Sequence, residues 1–317
     1  MPLRVVITGG AGFVGSTLGL ALHRTGHDVV LFDDLSSGSR DNLIDDSGAP
    51  FGSFVEGDVR DASALARIVG AGDVVVHLAG IAALPVCQSD PGTAFDVNVG
   101  GTVRVLDAAR RARASRVIFA STSAVYENVV ASGPLAESDA ARAQPDLVYA
   151  MTKAAAERAC EGFAKTYGLD VIICRFFNVY GPHQDVLRTS PPLTGYIARE
   201  LVAGRAPRLF NRSPARRDYI YSADLTDLMT LMISDARRFA ADVFNVGSGE
   251  AFAVRDIFET MRATAGLHDL EPVYADPAGF WGACVLSSDF CVRGSFSAGC
   301  RLSRPPRHPP PPQLPCA

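Results

Sequence analysis

Tyr149 and Lys153 bound the segment Tyr-Ala-Met-Thr-Lys and stand four residues apart. On a helix that spacing puts both side chains on one face. A phenol is a poor base near neutral pH because its unperturbed pKa is about 10, and an ammonium group beside it favours the phenolate. Taken alone, the pair equally suits a chance pattern on an exposed helix. Ser121-Thr122-Ser123 follows an apolar run. A hydroxyl there can share a hydrogen bond with a reacting oxygen and steady its charge, although three small hydroxyl residues after a strand also make an ordinary turn.

Such groups need a frame. Short β-branched runs at residues 4–8, 29–32, 53–56, 74–78, 116–120 and 171–175 alternate with helical stretches at 16–25, 62–69, 102–112 and 150–167. The runs lack polar alternation, as in a parallel sheet covered on both faces. The βαβα order predicts an α/β fold, a Rossmann doubly wound parallel sheet, whose ligands bind at the C-terminal strand edge where Thr122 falls. After Gly181 the pattern becomes smaller and mixed, with helices near 195–203, 224–234 and 254–265 and a strand at 243–246.

Gly9, Gly12 and Gly15 follow the first run as GxxGxxG, with Phe13 and Val14 before the last glycine. The first glycine permits a tight turn, the second lets backbone approach a pyrophosphate, and the third lets a helix pack closely on the sheet. The helix N-terminus that follows offers free N–H groups and partial positive charge. A glycine triplet alone says little, but here a strand precedes it, a helix follows it, and the next strand ends at Asp33. Asp33 can accept from both hydroxyls of an adenosine ribose and would repel a 2′-phosphate, which favours NAD over NADP. Asp34, Ser37 and Gly38 continue that loop. Asp58, just before Val59, can accept from the adenine amino group. Leu78-Ala79-Gly80 ends the fourth run with small residues that admit the cofactor, and Asn98 is a polar contact nearby. A positive nicotinamide ring then adds to the charge favouring a Tyr149 phenolate, and Lys153 can bond the nicotinamide ribose. His77 reads as a packed strand residue outside any acid–base set.

Three regions are expected: residues 1–180 as the NAD-binding Rossmann domain, 181–278 as a substrate region with some elements returning to the sheet, and 279–317 as a tail. The tail has no acidic residue after Asp289 and carries Pro-Pro-Arg-His-Pro-Pro-Pro-Pro from Pro305 to Pro312. That composition predicts a disordered or extended segment, as a frame-shifted or replaced C-terminus would give. The net charge of −4 offers no field for nucleic acid. No apolar run reaches the length of a membrane span, and no signal core opens the chain, so a soluble cytoplasmic protein is expected. Seven cysteines without zinc spacing or a complete disulfide framework predict free thiols and no metal site.

Residues 8–15, 32–38, 58, 78–80, 98–102, 119–126, 149–153, 175–184, 217–224 and 244–249 together resemble the extended short-chain dehydrogenases/reductases. Within them the chain is most similar to the NAD-dependent nucleotide-sugar epimerase/dehydratase group, UDP-glucose 4-epimerase above all. The resemblance covers roughly residues 1–275. It implies that Tyr149 is the general base, Lys153 its partner and Thr122 the catalytic hydroxyl. It implies that the cofactor meets Ser121, Tyr149 and Lys153, and the substrate meets Thr122, Ser123 and Tyr149. Asn178, in Arg-Phe-Phe-Asn-Val-Tyr-Gly-Pro, and Arg217, in Arg-Asp-Tyr-Ile-Tyr, would meet the diphosphate; an arginine fork suits that role, while Arg217-Asp218 also reads as a local ion pair. The implied reaction is epimerisation at C4 of a UDP-hexose. Tyr149 takes the O4 proton as hydride passes to NAD, the 4-keto sugar turns over, and hydride returns to its other face. Pairing of helices near 102–112 and 150–167 would give a homodimer, with Ala154, Ala155 and Ala159 allowing close approach.

Several residues depart from the family pattern. Dehydratases of the group carry Thr-Asp-Glu where this chain has Thr122-Ser123-Ala124, so no acid stands there to expel a C6 hydroxyl. Glu127 replaces a usual glycine and His183 a common arginine. Asp185 after Gln184 disfavours a sugar carboxylate. No phosphate-binding arginine can be placed in the tail. The alternatives are therefore a dehydratase or decarboxylase of the same family, or a catalytically impaired NAD-binding protein.

Overall fold

The computed structural model describes residues 2–129, 133–188, 191–210 and 216–275, apart from the Phe210 side chain. The expectation for residues 279–317 lies outside them.

Seven parallel strands form the main sheet: β1 (Arg4–Thr8), β2 (Asp28–Asp33), β3 (Ser53–Glu56), β4 (Val74–His77), β5 (Arg116–Thr122), β6 (Val171–Phe176) and β10 (Ala240–Val246). Their order is β10-β6-β5-β4-β1-β2-β3. The direction of winding reverses between β1 and β4, which opens a crevice above their C-terminal ends. Alternate residues of each strand feed two separate cores. Val6, Val75, Val117, Phe119 and Ile173 pack toward α2 (Ala62–Ile68), α5 (Thr102–Ala112) and α6 (Val148–Tyr167). Val5, Ile7, Val76, Ile118 and Ile172 pack toward α1 (Phe13–Arg24) and α8 (Ser222–Ser234). Both faces are covered, hence the unbroken apolar runs. Each fully buried side chain of this kind contributes about 1.5–3 kcal/mol.

The helix expected from residue 16 begins at Phe13, capped by the Gly12 backbone rather than by a polar side chain. The expected strands at 29–32, 116–120 and 171–175 each run one or two residues further, and β4 stops one residue short of Leu78. Elements too short for periodicity escaped the sequence: α3 (Leu84–Ser89), α4 (Pro91–Phe95), β7 (Asn178–Tyr180), β8 (Arg208–Phe210), β11 (Ala251–Ala253) and β12 (Val273–Ala275). From Asn178 onward, β7, β9 (Arg216–Tyr221) and β11 make a small mixed sheet. There α7 (Leu193–Val202) and α9 (Val254–Thr264) share a core of Ile197, Leu201, Leu209 and Phe258. From the same stretch, α8 and β10 go back to the main sheet and its core.

Candidate active site

A cavity of about 230 Å³ lies over the β1/β4 crevice. Gly9, Gly12, Asp33, Asp34, Ser37, Gly38, Val59, Leu78, Ala79 and Gly80 line it. Gly9 has a φ of +73°, and a Cβ there would lie 2.7 Å from the Ala79 nitrogen. A Cβ on Gly15 would lie 2.1 Å from the Gly9 carbonyl oxygen, so the helix can approach the turn only with glycine. Phe13 and Val14 form the first turn of α1, whose N-terminus receives no side-chain cap, so its free N–H groups remain available beside the cavity. Gly15→Ala is expected to force the turn apart, costing about 1–3 kcal/mol of stability and much of the NAD affinity. Thermal melts with and without NAD read both, and an unchanged Tm with an unchanged NAD-induced rise would refute the cradle.

Asp33 is nearly buried. Its Oδ2 accepts from the Ala11 N–H at 3.0 Å and its Oδ1 from the Leu35 N–H at 2.8 Å. Burial raises its pKa and these two hydrogen bonds oppose the rise. Each carboxylate oxygen has a further lone pair, so the ribose-binding geometry fits. A Cβ on Gly38 would come 2.9 Å from Asp33 Oδ1. Asp58 is gripped by Arg60, at 2.9 Å from Nε and 2.6 Å from Nη2 to Oδ2. That hydrogen bonding lowers its pKa. Arg60 lines the cavity, together with Ile81, Thr93 and Val97, all missed in the sequence. The Asp-x-Arg spacing was the available signal for Arg60.

Thr122 ends β5, and its hydroxyl lies against the Tyr149 phenol in the first turn of α6. Burial pushes the half-buried phenol up to about 12, while the Thr122 hydroxyl lowers it. Lys153 is one turn on, buried, with Nζ donating to the Ala120 carbonyl at 2.9 Å. Burial brings its pKa down to about 8. The ammonium expected to promote the phenolate thus also holds the end of the fifth strand through the Ala120 carbonyl. A Cβ on Gly80 would lie 3.5 Å from Lys153 Nζ, so Lys153 reaches the cavity floor beneath that glycine. Cys87 borders both groups electrostatically, a proximity that its sequence neighbours did not suggest.

Two of the expected cofactor contacts, Ser121 and Asn98, also hold partners within the protein. Ser121 is buried and donates to Glu157, which holds Arg175 through bonds of 2.9 and 2.7 Å. A hydroxyl bonded to a buried carboxylate braces the sheet against α6. Asn98 sits in a π-helical turn at Asp96–Gly101. It accepts from the Ile81 N–H at 2.8 Å and donates to Ile81 O and Thr152 Oγ1, each at 3.0 Å. It therefore shapes the Leu78–Ile81 loop from behind. His77 bridges Thr8 and Thr102, and burial takes its pKa to about 3, so it is neutral.

Ser123 opens the turn after Thr122 and is half-buried. Asn178 on β7 pairs in register with Tyr219 of β9, and its Nδ2 donates to the Asp218 carbonyl at 2.8 Å. Arg217 lies next to Asp218, whose carboxylate is buried and accepts from Ser248 and Gly249 N–H groups. Asp185 accepts from the Leu187 and Arg188 N–H groups of its own loop. Among the described residues no cluster of three metal-ligating side chains occurs, and no helix is long and apolar enough to cross a membrane.

A glycine turn against a helix N-terminus, an acid at the end of β2 and a Tyr/Lys pair below the crevice define a dinucleotide-dependent α/β protein of the extended short-chain dehydrogenase/reductase type. Residues 5–247 match the NAD dependent epimerase/dehydratase family, and the chain belongs to it. NAD is its cofactor. It is 31% identical over 301 residues to UDP-glucose 4-epimerase of Streptomyces lividans, covering 90% of this chain and 88% of that protein. The crystal structure of UDP-glucose 4-epimerase with UDP-glucose from Thermotoga maritima aligns with a TM-score of 0.80 at 27% identity, covering 92% of this chain and 89% of that one. A dTDP-glucose 4,6-dehydratase from Streptomyces venezuelae with NAD bound aligns with a TM-score of 0.77 at 27% identity, covering 92% and 88%.

Proposed function

We propose that the protein epimerises a UDP-linked hexose at C4 through a 4-keto intermediate. The observation that carries this reading is the Thr122 hydroxyl set against the Tyr149 phenol, with Ser123 and Ala124 beside it in place of an acid pair. Tyr149 takes the proton from the sugar O4 and later returns it, and Thr122 holds that oxygen in place. Bound NAD supplies the hydride acceptor. Lys153 fixes the floor under Gly80 and would hold the nicotinamide ribose. Asn178 and Arg217, on paired strands with Asn178 in register with Tyr219, two residues beyond Arg217, are assigned to the diphosphate; Asn178 keeps a second N–H to donate for that purpose. The UDP linkage is supported by the Streptomyces lividans and Thermotoga maritima relatives.

The Streptomyces venezuelae neighbour favours a second reading, loss of water from a nucleotide sugar. Incubation with UDP-galactose and with UDP-N-acetylglucosamine, followed by chromatography and mass spectrometry, separates the two. A C4 epimer of unchanged mass is expected. A product lighter by water overturns the epimerase reading, and bound NAD with conversion of neither sugar points to a non-catalytic NAD-binding protein.

We assign the dimer contact to α5 and α6, which pack together and expose Val103 and Met151. Sedimentation is expected to give a dimer; a monomer at high protein concentration would refute this contact.

A further inference from the structure

Glu127 and Asn128 leave the turn that carries Thr122 and reach the segment that leads into α6. Glu127 Oε2 accepts from the Asp146 N–H at 3.0 Å and from the Leu147 N–H at 2.9 Å. Asn128 Nδ2 donates to the Gln144 carbonyl at 2.8 Å and to Asp146 Oδ2 at 3.1 Å. Asn128 holds a left-handed φ of 63°, which asparagine tolerates better than most residues. Leu147 is the N-cap of α6 and supplies no side-chain cap of its own. The N–H groups that open a helix lack intrahelical partners, and a carboxylate there also faces the positive end of the helix dipole. Tyr149 is two residues beyond the cap.

We propose that Glu127 is a positioning residue: its carboxylate, with the Asn128 amide as second tether, caps α6 from outside and sets the distance between Tyr149 and Thr122. Cap and catalytic hydroxyl belong to one continuous segment, with Glu127 five residues after Thr122. Any movement of the helix start relative to that segment therefore changes the spacing of the two reacting groups directly. The inference rests on the epimerase reading for its kinetic consequence but not for its structural one.

The test compares Glu127→Ala and Glu127→Gln in the full-length, NAD-loaded protein. Gln keeps an acceptor oxygen and loses the charge. For Ala, kcat is expected to fall about 10-fold or more, because small misplacements of reacting groups cost up to about 100-fold, with KM for the UDP-sugar nearly unchanged. For Gln, most of kcat should return. Amide hydrogen exchange, read without substrate, should quicken at Asp146, Leu147 and Met151 in the Ala variant only; the Met151 N–H closes the first turn on Leu147 O. Unchanged exchange in the Ala variant overturns the cap. Faster exchange with unchanged kcat overturns the positioning role. A parent protein that converts no UDP-sugar defeats the epimerase reading alone, and exchange at Met151 then decides whether Glu127 fixes the turn bearing Tyr149.

Discussion

Tyr149→Phe is expected to lower kcat by about 10²–10⁴-fold, the usual contribution of a positioned acid–base group, while NAD stays bound and KM moves little. The phenylalanine ring fills the same half-buried space, and only the hydroxyl that meets Thr122 is lost. The pH dependence follows from the direction of the shift. Burial pushes the phenol up to about 12, so near neutrality it is protonated and only a small ionised fraction can accept the O4 proton. That fraction grows with pH, and log kcat of the NAD-loaded enzyme should rise with pH until the phenol is ionised. Steady-state kinetics of both proteins from pH 6 upward check this. A Phe variant within a few-fold of the parent would remove Tyr149 from the chemistry.

Lys153→Met should separate stability from function. The ammonium has been drawn from 10.5 down to about 8, by burial first of all. Between these two values the unfolded chain binds more protons than the folded one, so wild-type stability rises with pH across that window. The burial penalty is fully present below pH 8 and absent above about 10.5. At 1.36 kcal/mol per unit it amounts to about 3 kcal/mol. Methionine fills similar space without charge, at the cost of leaving the Ala120 carbonyl unpaired, roughly 1–2 kcal/mol. The variant should therefore melt higher than wild type at pH 7 and lose that advantage as pH approaches 10.5, while turnover is lost. A lower Tm at pH 7 would show that Lys153 stabilises the fold it sits in.

Much of this arrangement is legible in the sequence, and the failures have physical causes. The six runs in the first half were readable because each strand feeds two apolar cores. The Gly9-to-Gly15 spacing and Asp33 are readable because backbone geometry at a tight turn leaves few residue choices. The Glu157 partner of Ser121 is not readable, because three successive hydroxyl residues carry no sign of which one meets a carboxylate 36 residues away. The partners of Asn98 are hidden for a similar reason: Ile81 and Thr152 lie 17 and 54 residues from it. Tyr149 and Lys153 stand out by their spacing, yet no local pattern announces that the Ala120 carbonyl accepts from the ammonium. The three-residue strands β7, β8, β11 and β12 are shorter than any period that could reveal them.

The outermost strand beside β6 is β10, which the chain reaches only at Ala240–Val246. During synthesis, β6 therefore waits with an unpaired edge while some sixty further residues are made, and a bare edge is a template for pairing with another chain. The dinucleotide half is consequently no autonomous folding piece. A fragment ending near residue 180 would lack one strand and the α8 side chains Leu225, Met229 and Met232 that cover β1 and β6. Such a fragment should aggregate, whereas the seven strands of the sheet among the described residues all lie within residues 4–246.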